Sequence, residues 1–377
     1  MKTLGLAVLF AVSSSPFFSG PPKLTGGTGT IYLGSYDKRM VVIDESTEKV
    51  TADIPLVTGI PWSVRLSPDA TRFYIQNADQ EHFEVVDLAT RKSLESFTLS
   101  EGNRKVRALA FAVDPQHRIM TLVTRTTTKL ADRFEIGPPT FIQYDLKDHK
   151  VVRTLPWSAD PEPAYFSLLL RYSPDGKLLY VFADKVLILD AASLQQLGTW
   201  DLSLSNEHTL GRFDLGSLDE TNDDPAYFSA LFTMKDPVQK RPLFVVGRVN
   251  LDQQSLDFFP LGPATERGQV SFALGGDRRH AYVLLQEIGH HEMWTIDLAG
   301  KRLQSKVEFK GRPRMALRTS SNGKIIYLYE AGNTIDLYDA DGFKYLRTIT
   351  LDADMPYSSF HVVPPRAPSR LPANPPR

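Results

Sequence analysis

The sequence contains no cysteine among its 377 residues. The chain can therefore form no disulfide, and it must fold on its apolar core alone. It cannot supply thiolate ligands to zinc or to an iron–sulfur cluster, and it cannot attach haem covalently through Cys-x-x-Cys-His. A lipoprotein anchor is excluded as well. Any cofactor that depends on cysteine would have to lie on another chain.

An excess of charge of one sign is also missing, because 43 basic residues stand against 44 acidic ones. This balance argues against a general nucleic-acid-binding or membrane-surface role. The sequence has no Gly-x-Ser-x-Gly motif and no Gly-rich phosphate-binding loop before a helix. The histidine pair His290 and His291 is adjacent on a predicted strand, so its side chains point to opposite sides and do not suit one metal. No catalytic or metal-ligating residue is predicted.

The N-terminus carries a short apolar run, Leu4 to Val12, after Lys2 and before the small residues "SSS". This run is too short to span a bilayer. The pattern is typical of a secretory signal peptide, which we predict in residues 1–20, with export to a bacterial periplasm. The alternative is a buried first strand, although a polar, proline- and glycine-rich stretch would separate it from the rest of the chain.

An internal repeat organises the rest of the chain. The stretch "PWSVRLSPDATRFYIQNADQEHFEVVDLATRKSLESFTLS" from Pro61 matches "AYFSLLLRYSPDGKLLYVFADKVLILDAASLQQLGTWDLS" from Ala164 in its order of strands and turns. Each copy predicts four antiparallel strands, with an Asp ending the third. Turn markers between the first and second strands are predicted at Pro68, Pro115, Pro174, Pro237, Asp277 and Asn322.

Four-stranded repeats of this length indicate an all-β fold, a seven-bladed β-propeller. Six blades are complete, and the seventh is split between the two ends of the chain. "TIYLGSYDKRMVVIDESTEKVTADIPL" from Thr30 lacks a first strand, which the C-terminal "MPYSSFHVVPP" from Met355 would supply, so that no sheet edge stays open. We predict one domain over residues 28–364 and a disordered proline-rich tail over residues 365–377.

Two segments are longer than a turn requires. Thr124 to Pro139 expands the connection between the second and third strands of blade 3, and Asn206 to Phe228 expands the connection into blade 5. Both are predicted on one face, with Phe134, Ile136 and the proline pair Pro138 and Pro139 as apolar anchors of the first. The second is rich in Asp and Glu but lacks the Asp-x-Asp-x-Asp-Gly spacing of calcium-binding loops. It is therefore predicted to be either a solvated acidic loop or a patch that binds a basic partner. The alternative for both segments is a disordered loop without a function.

Basic and aromatic residues are predicted to converge on that face, near the mouth of the central channel. Guanidinium groups there would favour a carboxylate ligand or an acidic protein surface. The alternative is a set of independent surface charges with aromatic side chains that pack between blades. The candidate residues for ligand or partner binding are Trp62, Arg104, Arg107, Lys129, Arg133, Phe134, Arg312, Arg314 and Tyr357.

The modules "SPDGKLLYVFAD" and "IYLGSYDKRMVVIDESTEKV" resemble those of YVTN-repeat and amine-dehydrogenase-like propellers. More narrowly, "KLADRFEIGPPTFIQYDLKDHKVVRTLPW" (Lys129 to Trp157), "AYFSALFTM" and "LFVVGRVNLDQQSLDFFPL" are similar to the β subunit of quinohemoprotein amine dehydrogenase. That resemblance implies a periplasmic, non-catalytic propeller subunit without its own cofactor. The quinone cofactor and the haem would lie on partner subunits, a small cofactor-bearing subunit and a dihaem cytochrome. The proline-rich tail matches no feature of that family.

Three functions therefore remain open at the level of sequence. The first is a non-catalytic subunit or scaffold of an amine-oxidising complex, inactive and colourless by itself. The second is an enzyme such as a lactone hydrolase, using arginines at the channel mouth, for instance Arg107 and Arg312, together with a carboxylate. The third is a standalone module that binds a peptide or a small anion.

Overall fold

The computed structural model confirms a ring of seven four-stranded antiparallel blades. All its regular elements within the described residues are β-strands. The described residues are 23–157, 168–183, 185–202, 214–219, 226–236, 238–264, 269–312, 314–330, 332–356 and 359–365. The predicted signal peptide and nearly all of the predicted tail lie outside them.

The strands follow the order of the chain. Blades 1 and 2 contain β1 (Thr30–Gly34), β2 (Arg39–Asp44), β3 (Lys49–Pro55), β4 (Pro61–Leu66), β5 (Arg72–Asn77), β6 (His82–Asp87) and β7 (Lys92–Thr98). Blades 3 and 4 contain β8 (Arg104–Val113), β9 (Ile119–Lys129), β10 (Phe134–Ile136), β11 (Thr140–Asp145), β12 (Lys150–Pro156), β13 (Leu169–Tyr172), β14 (Leu178–Phe182), β15 (Val186–Asp190) and β16 (Gln196–Trp200).

The second half repeats the arrangement. Blades 5 and 6 contain β17 (Asp214–Asp219), β18 (Tyr227–Lys235), β19 (Pro242–Asn250), β20 (Ser255–Pro263), β21 (Gln269–Leu274), β22 (His280–Glu287), β23 (His290–Asp297) and β24 (Arg302–Phe309). Blade 7 contains β25 (Met315–Thr319), β26 (Ile325–Glu330), β27 (Gly332–Asp339) and β28 (Lys344–Met355), and β29 (Phe360–Val363) returns to blade 1.

The apolar core lies between the blades. Each cluster of buried side chains joins two neighbouring blades, such as Ile31 of blade 1 with Tyr327 of blade 7, or Phe83 of blade 2 with Leu122 of blade 3. The middle strands are therefore covered on both faces and are apolar almost throughout, whereas outer strands such as β7 alternate between exposed and half-buried residues. Stability thus depends on contacts between blades, as expected of radial repeats.

The ring closes as predicted. Strand β29 pairs with β1 in the register Leu33↔Phe360 to Thr30↔Val363 and supplies the innermost strand of blade 1. The seam between blades 1 and 7 is also held by polar contacts. Glu48 accepts hydrogen bonds from Lys23 and Arg347, and the buried Glu45 accepts them from the backbone of Ser321 and from the Tyr327 hydroxyl.

The recurring Asp at the end of the third strand shapes the turn that follows. In blade 2, Asp87 Oδ1 accepts hydrogen bonds from the Thr90 amide and from the Thr90 hydroxyl, both at 2.7 Å. These two bonds hold the pKa of the Asp87 carboxyl below its ordinary value. Hydrogen bonds from backbone amides of the following turn are likewise accepted by the side chains of Asp44, Asp145, Asp190, Asp297 and Asp339, and of Asn250 in blade 5. The recurrence therefore reflects turn chemistry rather than a binding site.

The prediction for blade 5 was wrong in one respect. The segment that the sequence predicts to be a long connection contains β17, which pairs with β18 as the innermost strand of the blade. The predicted marker Pro237 itself lies outside the described residues, but the turn that follows β18 joins the second and third strands of the blade and not the first and second. The error has a physical cause: Asp236 accepts hydrogen bonds from the amides of Val238 and Gln239, just as Asp277 accepts them from Arg279 and His280 in the first turn of blade 6.

Candidate functional site

The turns between second and third strands share one face of the ring with the connections between blades. Two backbone hydrogen bonds show this directly: the Leu56 amide donates to the Lys38 carbonyl at 2.8 Å, and the Ala78 amide donates to the Ile60 carbonyl at 2.9 Å. We call this end of the ring the connection face. The turns between first and second strands, for example residues 67–71 and 114–118, lie at the opposite face.

Blade 3 projects from the connection face. Regular pairing of the blade reaches Thr124, which is opposite both Ala108 and Thr140. Beyond that point β9 continues between the start of β8 and the short strand β10. We call residues 104–107 and 125–136 the blade 3 extension. The predicted insertion is therefore folded, as a three-stranded projection rather than a loose loop.

Backbone pairing, and not an apolar anchor, holds the extension. Phe134 is opposite Lys129 and Ile136 is opposite Thr127, and the Gly137 amide donates to the Thr126 carbonyl at 2.8 Å. The Phe134 and Ile136 side chains are 66% and 67% exposed. The prediction that they anchor the segment was wrong, because both belong to an edge strand with no blade packed against it. Of the predicted proline pair, Pro139 is buried as expected, whereas Pro138 is exposed and does not serve as an anchor.

The register sorts the side chains of the extension onto two sides. Directly opposite residues share a side of a sheet. One side carries Lys105, Arg107, Arg125, Thr127, Lys129, Phe134 and Ile136. The other carries Arg104, Thr128 and Glu135, beside which Arg133 forms an ion pair with Glu135 at 2.7 Å. The first side thus combines four basic residues with two exposed apolar ones, and we call it the basic–apolar side.

A buried carboxylate lies beneath two of these cations. Glu81, in the neighbouring turn of blade 2, is 5% exposed. Its carboxylate is 3.2 Å from Lys105 Nζ and 3.6 Å from Arg107 Nε. Both basic side chains remain about half exposed, so Glu81 fixes their position without covering them. The contact also links the extension to blade 2.

The structure gathers five of the nine predicted residues onto the extension, namely Arg104, Arg107, Lys129, Arg133 and Phe134. Trp62 is 39% exposed at the start of β4 in the adjacent blade. Arg312 and Arg314 lie apart from them, in the connection into blade 7. Tyr357 lies outside the described residues.

Arg312 has an acidic neighbour of its own. Its Nε is 3.4 Å from a carboxylate oxygen of Glu330. Burial raises the pKa of Glu330. The negative charge of Asp336 raises this pKa further, whereas the positive charge of Arg312 lowers it. This pair is an isolated contact of blade 7 and is not joined to the blade 3 extension.

A second location was missed by sequence reasoning. Arg65 and Arg171 line a cavity of about 150 Å³ at the opposite face, among the innermost strands of blades 2 to 4. None of the nine predicted residues lines it. A signal was present, because both arginines occupy otherwise apolar first strands just before a Ser-Pro-Asp turn, in "VRLSPD" and "LRYSPD".

The described residues contain no group of three or more histidine or acidic side chains arranged to hold a metal ion. They also contain no helix of the length and apolarity needed to cross a membrane. His290 bonds to Glu292 and Glu308, while His291 is buried on the other side of β23.

Comparisons with known proteins support the fold. No family model and no curated protein matches the sequence. A functionally unknown protein from Desulfotomaculum acetoxidans DSM 771 aligns over 90% of this chain and 100% of its own, with a TM-score of 0.53 and 12% identity. Hydrazine synthase from Kuenenia stuttgartiensis aligns over 84% and 90%, with a TM-score of 0.49 and 15% identity.

A third solved structure, dihydro-heme d1 dehydrogenase NirN in complex with DHE, aligns over 91% of this chain and 76% of its own, with a TM-score of 0.47 and 13% identity. At these identities a likeness shows the fold alone. The class that the fold defines is the β-propeller, and function has to be argued from the surfaces of this chain.

Proposed function

We propose that this chain is a non-catalytic β-propeller subunit that docks a partner protein on the basic–apolar side of the blade 3 extension. The single observation that carries the proposal is the exposure of Phe134 and Ile136 on an ordered strand beside Lys105, Arg107 and Lys129. Large apolar side chains held on a rigid edge next to basic ones are typical of protein interfaces.

The charge of this side defines the partner. Four basic residues lie on the basic–apolar side, and its described carboxylate, Glu81, is buried beneath Lys105 and Arg107. An acidic partner surface with an apolar pocket would complement it, with the aromatic and aliphatic side chains as anchors and the cations steering association. The partner surface would in this way cover the edge strand β10.

The resemblance of the blade 3 segment to the β subunit of quinohemoprotein amine dehydrogenase suggests a finer form of the proposal. In that form the chain is exported to the periplasm and supports a small quinone-bearing subunit and a dihaem cytochrome. The isolated chain would then be colourless and inactive towards amines. The absence of cysteine is consistent with this, because covalent haem would belong to the cytochrome.

The proposal is tested by capture from a periplasmic extract of the source organism. The tagged full chain should retain a c-type cytochrome, recognised by its haem absorption and by haem staining. Replacing Phe134→Ala and Ile136→Ser together should weaken the complex about tenfold or more, because anchor residues dominate interface energies. The matched control is Leu197→Ser, which alters a similarly exposed apolar side chain on the outer strand β16.

Salt provides a second readout of the same complex. Because Lys105, Arg107 and Lys129 are exposed, association should slow as ionic strength rises, whereas dissociation should change little. A complex that forms equally well with the doubly substituted extension would contradict the docking surface. Amine-dependent dye reduction by the purified chain alone would contradict the non-catalytic role.

A further inference from the structure

The short strand β10 of the blade 3 extension has an open edge. Within the part of the chain that the structure describes, β10 pairs with β9 on one side and is the last strand of its sheet on the other. The edge of a sheet presents backbone N–H and C=O groups that can pair with a further strand. The docking surface therefore offers backbone hydrogen-bonding groups in addition to its side chains.

The hydrogen bonds at the two ends of β10 fix the pattern between them. At one end the Gly137 amide donates to the Thr126 carbonyl at 2.8 Å. At the other end the Leu130 amide donates to the Arg133 carbonyl at 2.8 Å. In an antiparallel pair, residues that are hydrogen-bonded to the opposite strand alternate with residues that are not. The residues of this segment that bond to β9 are consequently the odd-numbered ones.

Phe134 and Ile136, which are even-numbered, direct their backbone groups away from β9 and towards the open edge. The opposite strand shows the same alternation, because the amide of Lys129, which is opposite Phe134, donates to the Asn103 carbonyl at 2.9 Å on the other side of β9. Two N–H and two C=O groups thus point outwards. The next even-numbered residue is Pro138, which has no N–H and limits the length of this edge.

The side chains around the edge define what an added strand should contain. Residues opposite Phe134 and Ile136 would share the basic–apolar side, where apolar side chains would pack against these two. The exposed cations of that side are Lys105, Arg107 and Lys129. They favour acidic residues at the flanking positions of the added strand. The position opposite Glu135 lies on the other side, where a like charge is unfavourable and an uncharged polar residue fits.

We propose that the partner contributes an extended segment that adds to β10 as a further antiparallel strand. Main-chain hydrogen bonds to the outward groups of Phe134 and Ile136 hold the segment, and its alternate side chains give specificity. The segment carries two apolar residues, one opposite each of these positions, and acidic residues that flank them on the same side. This inference rests on the proposed docking function and specifies how the partner binds.

The first test uses a capped, fluorescently labelled peptide of this pattern, Glu-Thr-Val-Thr-Val-Thr-Glu, and the full chain. Fluorescence anisotropy should show binding with a Kd below about 1 mM. The same peptide with both valines N-methylated lacks the two donors for the Phe134 and Ile136 carbonyls, and it should bind at least about tenfold more weakly. A peptide with lysine in place of both glutamates should also bind at least about tenfold more weakly, because it meets like charge.

The second test changes the chain itself. Ile136→Pro removes one outward N–H and leaves the bonds between Glu135 and β9 in place, as is tolerated on an edge strand. It should bind the peptide about fivefold or more weakly than Ile136→Ala, which also loses the side chain but keeps the N–H. In the unchanged free chain, the amides of Phe134 and Ile136 should exchange faster than the amide of Glu135, and saturating peptide should slow both.

Several results would overturn strand addition. They are slow exchange of the Phe134 and Ile136 amides in the free chain, no peptide binding at about 1 mM, or equal binding of the parent peptide and either control. If Ile136→Pro unfolds the extension, the N-methylated peptide still decides on the unchanged chain. Failure of the docking function itself appears separately, as a complex that the Phe134 and Ile136 substitutions do not weaken. A complex that they do weaken, together with equal binding of the control peptides, would reject strand addition alone.

Discussion

Blades 1 and 3 both depart from the four-stranded repeat, and they do so in opposite places. Blade 1 is assembled from the two ends of the chain, with the fully buried Phe360 on its closing strand. Blade 3 is continuous and adds an extension whose largest apolar side chains are exposed. The first departure lies inside the core and serves closure. The second lies outside it, where a folded scaffold can change freely without losing stability.

The largest expected effect is on the closing strand. Phe360→Ala should lower the free energy of unfolding by about 3–5 kcal/mol, because it empties a fully buried aromatic site between blades 1 and 7. Phe272→Ala, between the continuous blades 5 and 6, is the matched substitution and should lower it by a similar amount. Denaturant unfolding measures both values.

The two variants should differ in local opening. Strand β29 follows blade 7 in the chain and is held in blade 1 by non-covalent contacts, so Phe360→Ala should accelerate hydrogen exchange in β1 and β29 before the other blades exchange. Phe272→Ala should not show this order, because Phe272 packs between blades 5 and 6, away from the closing strand. Uniform exchange in both variants would mean that the seam is no weaker than the continuous blades.

An intermediate effect is expected at Glu45 in the same seam. This carboxyl is fully buried and accepts hydrogen bonds from the amides of Gly29 and Ser321 and from the Tyr327 hydroxyl. Glu45→Gln would point amide hydrogens at these donors, and we expect a loss of about 1–3 kcal/mol in the free energy of unfolding. Glu101→Gln, at an exposed position, is the control and should change it little.

The pH dependence of this effect has a definite sign. Burial raises the pKa of Glu45 in the folded protein, and its hydrogen bonds offset only part of that shift. The folded state therefore binds more protons than the unfolded state between the ordinary pKa, about 4.3, and the raised value. Stability from this group is complete below that window and falls as pH rises through it. The component should be absent from Glu45→Gln when unfolding is measured against pH.

The smallest effect on stability is expected from the blade 3 extension. Replacing residues 127–136 by Asn-Gly should leave a two-residue hairpin turn between Thr126 and Gly137. Because the removed side chains are exposed or half-buried, the free energy of unfolding should change by less than about 1 kcal/mol. Capture of the partner should nevertheless be abolished. A large loss of stability would show that the extension belongs to the core of the ring.

Much of the fold could be predicted because each blade repeats local chemistry. Alternating apolar residues and an Asp-capped turn such as that of Asp87 are set by neighbours in sequence. The same chemistry also misled, since the turn at Asp236 resembles the turn at Asp277, which joins first and second strands, although it joins the second and third strands of its blade. Turn chemistry specifies that the chain reverses, but it does not specify which two strands of the blade the turn joins.

The candidate sites were less predictable. Phe134 was correctly placed in a folded insertion, yet its exposure depends on which strand has no neighbour, and that is a property of the assembled ring. Arg65 and Arg171 are separated along the chain but line one cavity because first strands of different blades converge on the axis. Local pattern alone does not show which of several equivalent arginines faces it.

The sequence by itself determined the number of blades, the antiparallel order of most strands and the closure by the C-terminal strand, because these follow from hydrophobic alternation and local turns. Only the tertiary structure decided that blade 3 presents a basic–apolar side, that β17 is the innermost strand of blade 5, and that two arginines line an axial cavity. These features arise from contacts between segments distant in sequence, where burial and charge depend on what the closed ring brings together.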